Sequence, residues 1–186
     1  VIAGYRSGFT ITTGGSNVLL GQSAMQTITT GTRNVAVGVE AGFRNSTTSY
    51  NVYMGYGAGR EHIGSNTVHI GNEAGYYASG SNNTFVGYQS GKGATTSAPY
   101  SSGQYNTAVG YRAFEEFTTG GYNAILGQEA GETITTADAN ALLGYRAGRN
   151  LTTGGGNVVI GYEAQRDENV TEVTMVGARA GLYNSG

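Results

Sequence analysis

The residues best suited to metal or acid–base chemistry in this chain are its 2 histidines, His62 and His69. Imidazole titrates near neutral pH and is the commonest metal ligand in proteins. A metal site also needs further ligands at a suitable spacing, and none accompanies His69 in the sequence. We therefore predict a packed imidazole. The alternative is that three copies of His69 meet around a symmetry axis and bind an anion or a metal.

Two glycine-rich segments look superficially like phosphate-binding loops. GYGAG covers residues 55–59 and SGKGATT covers residues 90–96. The first lies inside a repeat without the helix that such a loop needs, and the second lacks the upstream glycine of the G-x-x-x-x-G-K-[ST] pattern. The adjacent Glu115 and Glu116 are typical of a solvated turn rather than an acid–base pair. We predict a protein that is not an enzyme, with no catalytic residue, no cofactor and no metal site.

A repeat positions all of these residues. A short apolar stretch that ends in glycine recurs along the whole chain, for example VLLG at Val18–Gly21 and VVIG at Val158–Gly161. The closing glycines are separated by 16 or 17 residues, with one separation of 23 residues. They are Gly4, Gly21, Gly38, Gly55, Gly71, Gly87, Gly110, Gly127, Gly144, Gly161 and Gly177. A unit this short cannot form its own core, so successive units must stack.

The repeat predicts an all-β fold: a parallel β-solenoid, of β-helix or β-roll type, with about eleven rungs and a 17-residue period. Residues 1–186 form one such domain, which we expect to be a fragment of a longer fibre. Many repeats are predicted to contain a second short strand around one apolar core residue, such as Ile28, Phe117 or Ile134. Sustained helical periodicity is absent.

The long separation predicts a protruding loop over residues 92–105. Loops on rigid scaffolds often carry recognition. Pro99, Tyr100 and Tyr105 are therefore the candidate receptor contacts.

The alternation of side chains along each strand divides the repeat into two faces. We predict that the residue before the glycine and the residue two earlier fill the interior, so the middle residue faces outward. That outward stripe is almost wholly apolar, which marks an interface. We predict a homotrimer of parallel rods that meet along this stripe, the alternative being a further layer of the same chain that covers it. The predicted interchain residues are Leu19, Tyr53, His69, Phe85, Ile125, Leu142, Val159 and Met175.

Polar residues at fixed places in the repeat predict ladders along the rod axis. Stacked asparagine amides bond to one another from rung to rung. The predicted structural ladder consists of Asn17, Asn34, Asn51, Asn83, Asn106, Asn123, Asn140 and Asn157. Two residues after the glycine, the charge alternates in sign over five rungs, as a second ladder requires. Its members are Arg112, Glu129, Arg146, Glu163 and Arg179.

Composition excludes several classes of partner. The 10 basic and 12 acidic residues leave a net charge of −2, so the chain has no basic surface for nucleic acid. No apolar run approaches the roughly 20 residues that span a bilayer, so we predict no membrane insertion. The 33 glycines would favour disorder, but 38% hydrophobic content and 14 tyrosines favour a packed protein.

Two repeats carry a resemblance to known families: TTGGYNAILGQEAG at Thr118–Gly131 and NTAVGYRAF at Asn106–Phe114. They resemble the NTAVGYQA-type repeats of phage tail-fibre and related adhesin proteins. They are similar, more distantly, to the head repeats of trimeric autotransporter adhesins, whose period is shorter. The resemblance covers nearly the whole chain. It implies a trimeric shaft or adhesive head, located outside the cell, on a cell surface or on a virion.

The functional expectation is thus a structural fibre segment. Its partners would be copies of itself, with end-to-end filaments as an extension, and a glycan or protein receptor on a host surface. The alternatives are an extracellular filament subunit and an ice- or glycan-binding solenoid, the ice-binding version being suggested by threonine pairs such as Thr12–Thr13 and Thr135–Thr136.

Overall fold

The computed structural model describes residues 1–97, 99–165 and 169–181. It contains eleven short β-strands in a single parallel sheet, and the strands follow one another in chain order. They are β1 (Ile2–Ala3), β2 (Val18–Leu20), β3 (Val35–Val37), β4 (Val52–Met54), β5 (Val68–Ile70), β6 (Thr84–Val86), β7 (Thr107–Val109), β8 (Ala124–Leu126), β9 (Ala141–Leu143), β10 (Val158–Ile160) and β11 (Thr174–Val176). The chain is an all-β solenoid that advances by one rung, or turn, every 17 residues or so.

Equivalent residues of successive repeats pair directly. Val18 lies beside Val35, and Val35 lies beside Val52, and the same register continues along the sheet. The repeat is conserved in register even across the long separation, because Thr84 of β6 pairs with Thr107 of β7. Side chains of one type therefore form columns that run along the rod.

The glycine that closes each strand explains the strictness of the repeat. Gly38 has a φ of +135°, and a Cβ atom built on it would lie 2.4 Å from the carbonyl oxygen of Gly55 on the next rung. Gly127 repeats this geometry against Gly144, at 2.2 Å. No L-residue with a side chain fits a positive φ with a backbone atom at that distance. The glycine column is thus a condition of rung-to-rung stacking.

The rest of each rung consists of turns. The second strand predicted for each repeat is absent from the described residues, where the one further pairing is an isolated bridge between Ala78 and Ser101. The reason is that the predicted segment lies between turns: φ is positive at Ser23 (+57°) and Met25 (+43°) before Ile28 and again at Arg33 (+58°) after it. Such a backbone cannot extend into a ladder, although single bonds still link the rungs, as from the Thr12 N–H to the Thr29 oxygen at 2.9 Å.

The core is a narrow strip inside the turns. The apolar residue predicted for the second half of the repeat is fully buried at Ile28, Phe117 and Ile134. The alanine three residues after the closing glycine, such as Ala24 or Ala147, is also fully buried. Only a small side chain fits there because adjoining turns pass close by. No helix long and apolar enough to cross a membrane occurs in the described parts of the chain.

Candidate functional site

The middle residue of each strand lies inside the solenoid, which corrects the predicted orientation. The prediction placed Leu19, Tyr53, His69, Phe85, Ile125, Leu142, Val159 and Met175 on an interchain surface. The first seven are at most 2% exposed within a single chain, and Met175 is partly buried. None of them is available to form an outward stripe, and three copies of His69 cannot meet around an axis to bind an anion or a metal.

The physical reason is the pleat of the strand. Asn17 and Leu19 are two residues apart, so they share a face. Because Asn17 is buried in the asparagine ladder, Leu19 must be buried with it. The inner space is also shared within a repeat: a Cβ atom on Gly59 would lie 2.3 Å from the Tyr53 ring, whereas Phe114 fills the matching place where the middle residue is only Ala108.

The first and third residues of the strands therefore form the surface of the sheet, which we call the outer face. Its members are half-buried or exposed, and they include no charged side chain and only three threonines. The first-residue column is Val18, Val35, Val52, Val68, Thr84, Thr107, Ala124, Ala141, Val158 and Thr174. The third-residue column is Ala3, Leu20, Val37, Met54, Ile70, Val86, Val109, Leu126, Leu143, Ile160 and Val176.

The outer face carries a groove beside a ridge. Ala124 and Ala141 are the smallest residues of the first column, and they stand on the same rungs as Leu126 and Leu143. A cavity of about 410 Å³ opens there, lined almost wholly by apolar atoms of β7 to β10. Leu126 is 49% exposed and Leu143 is 44% exposed beside it. The two columns thus differ in volume at the same height along the rod.

The eight ladder asparagines stand in single file along the axis. The side chain of Asn123 accepts a hydrogen bond from the Asn140 backbone N–H at 3.0 Å and one from its Nδ2 at 3.0 Å. Asn140 repeats both bonds with Asn157, at 3.0 and 2.9 Å. Each amide also donates to the backbone of the adjoining turn, as from Asn140 to the Gly154 oxygen at 3.2 Å. The ladder is interrupted by Thr67, whose N–H and hydroxyl bond Asn51 instead.

The charged ladder forms along part of its length. Arg146 lies 2.6 Å from Glu129 and 3.9 Å from Glu163, and Arg179 lies 3.3 Å from Glu163. Arg112 instead contacts Glu132 at 3.0 Å and Glu115.

Glu129 shows the effect of this ladder on acidity. Burial by itself would raise its pKa, but hydrogen bonds from Arg146 and Gln128 and the charges of Arg146 and Arg149 hold that pKa below its ordinary value. The ion pair with Arg146 thus favours the charged carboxylate of Glu129 on this rung.

Both histidines belong to a buried aromatic cluster. The Tyr53 hydroxyl lies 2.7 Å from His62 Nδ1 and accepts a hydrogen bond from Asn45 at 2.8 Å, while His62 Nε2 lies 3.1 Å from the Gly80 oxygen. His69 stacks on Phe85 at 5.1 Å, and neither of its ring nitrogens has a hydrogen-bond partner among the described residues.

The acid–base properties of the two imidazoles follow from this position. Burial lowers the pKa of His62 to about 4, against the opposing effect of its bond to Gly80. Burial, followed by the charge of nearby His62, lowers the pKa of His69 well below its usual value. Both imidazoles are therefore neutral in the folded protein at neutral pH. No cluster of three metal-ligating side chains occurs among the described residues.

The three candidate receptor residues lie in different settings. Pro99 is exposed, but Tyr100 folds back onto the solenoid, where its hydroxyl lies 3.0 Å from Glu61 and 3.3 Å from Arg44. Tyr105 is 51% exposed. Of the predicted loop over residues 92–105, Ala98 lies outside the described residues, and Ser101 is already within the stack through its bridge to Ala78.

The threonine pairs use one hydroxyl for stacking. The Thr12 Oγ1 donates to the Thr29 oxygen at 3.0 Å, and the Thr135 Oγ1 donates to the Thr152 oxygen at 3.1 Å. The second threonine of these pairs, such as Thr13 or Thr136, is exposed, and its hydroxyl makes no ladder bond of this kind within the described part of the chain.

These features define a class: a parallel β-solenoid with a buried asparagine ladder and an uncharged outer face. No protein-family model, no curated protein and no solved structure matches the chain.

Proposed function

We propose that this protein is a non-catalytic segment of an extracellular fibre, a shaft or adhesive head of the kind found in viral tail fibres and cell-surface adhesins, and that it works as a homotrimer. The single observation that carries the proposal is the outer face. Ten rung spacings of about 4.8 Å make this apolar strip roughly 48 Å long. Uncharged surfaces of this extent mark an interaction site.

The ridge and groove favour parallel copies in register. Around an axis that runs along the rods, the third-residue column of one chain faces the first-residue column of its neighbour at the same height. Leu126 and Leu143 of one copy then meet the groove at Ala124 and Ala141 of the next. An antiparallel pair would instead place each column against itself and would leave the groove unfilled.

The interior supports a mechanical role. Each rung adds backbone bonds and apolar burial to the rung before it, and most rungs add an asparagine amide, so load along the rod is shared among many like interactions. Ladder side chains with alternating charge, such as Glu129 and Arg146, also fix the register of the rungs.

The oligomeric state tests the proposal. Light scattering coupled to gel filtration should give three times the 19.2 kDa mass of one chain. The double variant Leu126→Glu and Leu143→Glu should give a monomer with an unchanged circular dichroism spectrum, because both side chains are already about half exposed in the single chain. Thr136→Glu, on an exposed position of the same rung as β9, is the matched control and should remain trimeric. A monomeric parent protein would refute the trimer.

A further inference from the structure

A polar cleft lies away from the outer face, where three successive rungs differ in one column. Two residues before the ladder asparagine, these rungs carry Gln104, Gly121 and Asp138. The cleft has a volume of about 330 Å³, which is within the range of small-molecule sites. Because Gly121 has no side chain, the Asp138 carboxylate can reach its N–H, and a Cβ atom at Gly121 would lie 3.6 Å from Asp138 Oδ1 and 3.0 Å from the backbone oxygen of Gln104.

One wall of the cleft is fixed by a specific contact. Asp138 Oδ1 accepts a hydrogen bond from the Gly121 N–H at 2.6 Å, which fixes the carboxylate at one wall. No hydrogen bond of Asp138 Oδ2 or of the Gln104 amide is found among the described residues. The hydroxyls of Ser102 and Thr119 also line the space. The cleft therefore presents donors and acceptors that are free for a ligand.

One side of the cleft is aromatic. Tyr105 and Tyr122 stack with their ring centroids 5.0 Å apart and their planes inclined by 11°, and they are 51% and 66% exposed. Both tyrosines directly precede a ladder asparagine. On the next two rungs the same position holds the small residues Ala139 and Gly156, so no large side chain follows Tyr122 in this column.

This tyrosine pair differs from the stacked pair Tyr145–Tyr162, which has arginine over its rings, but shares the absence of a covering cation among the described residues with the stacked pair Tyr88–Tyr111. The guanidinium of Arg146 lies 4.8 Å from the Tyr145 ring centre, and that of Arg179 lies 6.0 Å from the Tyr162 ring centre. No cation lies over the rings of Tyr105 and Tyr122 among the contacts of the described residues. Their aromatic surface is thus left to a ligand.

We propose that this cleft binds a neutral saccharide. A sugar ring joins an apolar C–H surface to hydroxyls that both donate and accept hydrogen bonds, which matches an aromatic wall beside a carboxylate, an amide and two hydroxyls. The Asp138 carboxylate repels acidic sugars, so sialylated glycans are disfavoured. This inference deepens the proposed function, on which it rests, by assigning the class of receptor that an adhesive fibre segment would recognise.

The test is a glycan array of neutral galactose-, glucose- and mannose-terminated oligosaccharides with sialylated counterparts, followed by calorimetric titration of the best neutral binder. Tyr122→Ala should weaken binding about tenfold or more. The column tolerates alanine, since Ala139 holds the same left-handed backbone, at φ +58° against +59° for Tyr122. Gln104→Ala is a second variant with the same expected direction, and Tyr162→Ala is the matched control that should leave affinity unchanged.

Three results would overturn the inference: no neutral glycan bound by the parent protein at millimolar concentration, binding of sialylated glycans alone, or affinity unchanged in both cleft variants. Light scattering on the same samples tests the trimer independently of glycan binding. A trimer that binds no neutral glycan refutes only the cleft, and a monomer that binds one refutes only the interface.

Discussion

Removal of one ladder amide, by Asn140→Ala, should destabilise the protein far more than removal of an exposed asparagine. The Asn140 side chain makes four hydrogen bonds: it accepts two from Asn157, at 3.0 and 2.9 Å, and donates to Asn123 at 3.0 Å and to the Gly154 oxygen at 3.2 Å. At about 1 kcal/mol for each bond, the loss is roughly 4 kcal/mol. Asn157 is 1% exposed, so water cannot readily replace the lost acceptor.

The assay is equilibrium unfolding in urea, followed by circular dichroism and by the fluorescence of the 14 tyrosines. A loss of about 4 kcal/mol corresponds to a fall in melting temperature of roughly 8–16 °C for a chain of this size. The matched control is Asn72→Ala, which removes an exposed amide outside the ladder and should cost less than about 0.5 kcal/mol.

The reasoning is refuted if Asn140→Ala costs less than about 1 kcal/mol, or no more than Asn72→Ala. Either result would mean that the ladder bonds merely replace equivalent bonds to water. Measurement at several protein concentrations separates this effect from any change in subunit association.

Two further perturbations probe the stacking and the core. Gly127→Ala should prevent folding or lower the free energy of unfolding by more than about 3 kcal/mol, because the added Cβ would lie 2.2 Å from the Gly144 oxygen at a φ of +142°. The control is Gly15→Ala, where no atom lies within 4 Å of the added Cβ, and its melting temperature should be nearly unchanged. The stability should be nearly constant between about pH 7 and pH 9 and should fall as the pH drops below about 6.5, because His62 and His69 remain neutral in the fold while the unfolded chain takes up protons. Between pH 7 and pH 5 the two histidines together should remove about 4 kcal/mol, measured by urea unfolding across that range, and His69→Phe should remove about half of this dependence; a pH-independent stability would show that the imidazoles are not held neutral.

The comparison of sequence and structure is clearest at the middle residue of the strands. The expectation that Leu142 and Val159 face a partner was wrong. The strands do carry apolar side chains on both faces, as the sequence indicated. Burial of Asn140 was the missing constraint, because Asn140 and Leu142 must share a face.

The polar cleft shows what a single-sequence reading misses. Tyr105 was expected to contact a receptor because of its place in a long loop, yet its setting depends on Tyr122 and Asp138, which lie one and two rungs away. Contacts between residues 17 or 34 positions apart become visible only once the register is known.

The sequence by itself determined the period, the parallel stacking of the rungs and the columns of like residues, because a 17-residue repeat closed by glycine can bury its apolar groups only by stacking on its neighbours. Only the tertiary structure decided which face of the strand is inside. Alternation along a strand defines two faces but not their environment, and here both faces are apolar. The middle residue lies inside because the space enclosed by the turns holds one column of large side chains together with the asparagine amides, which share its face.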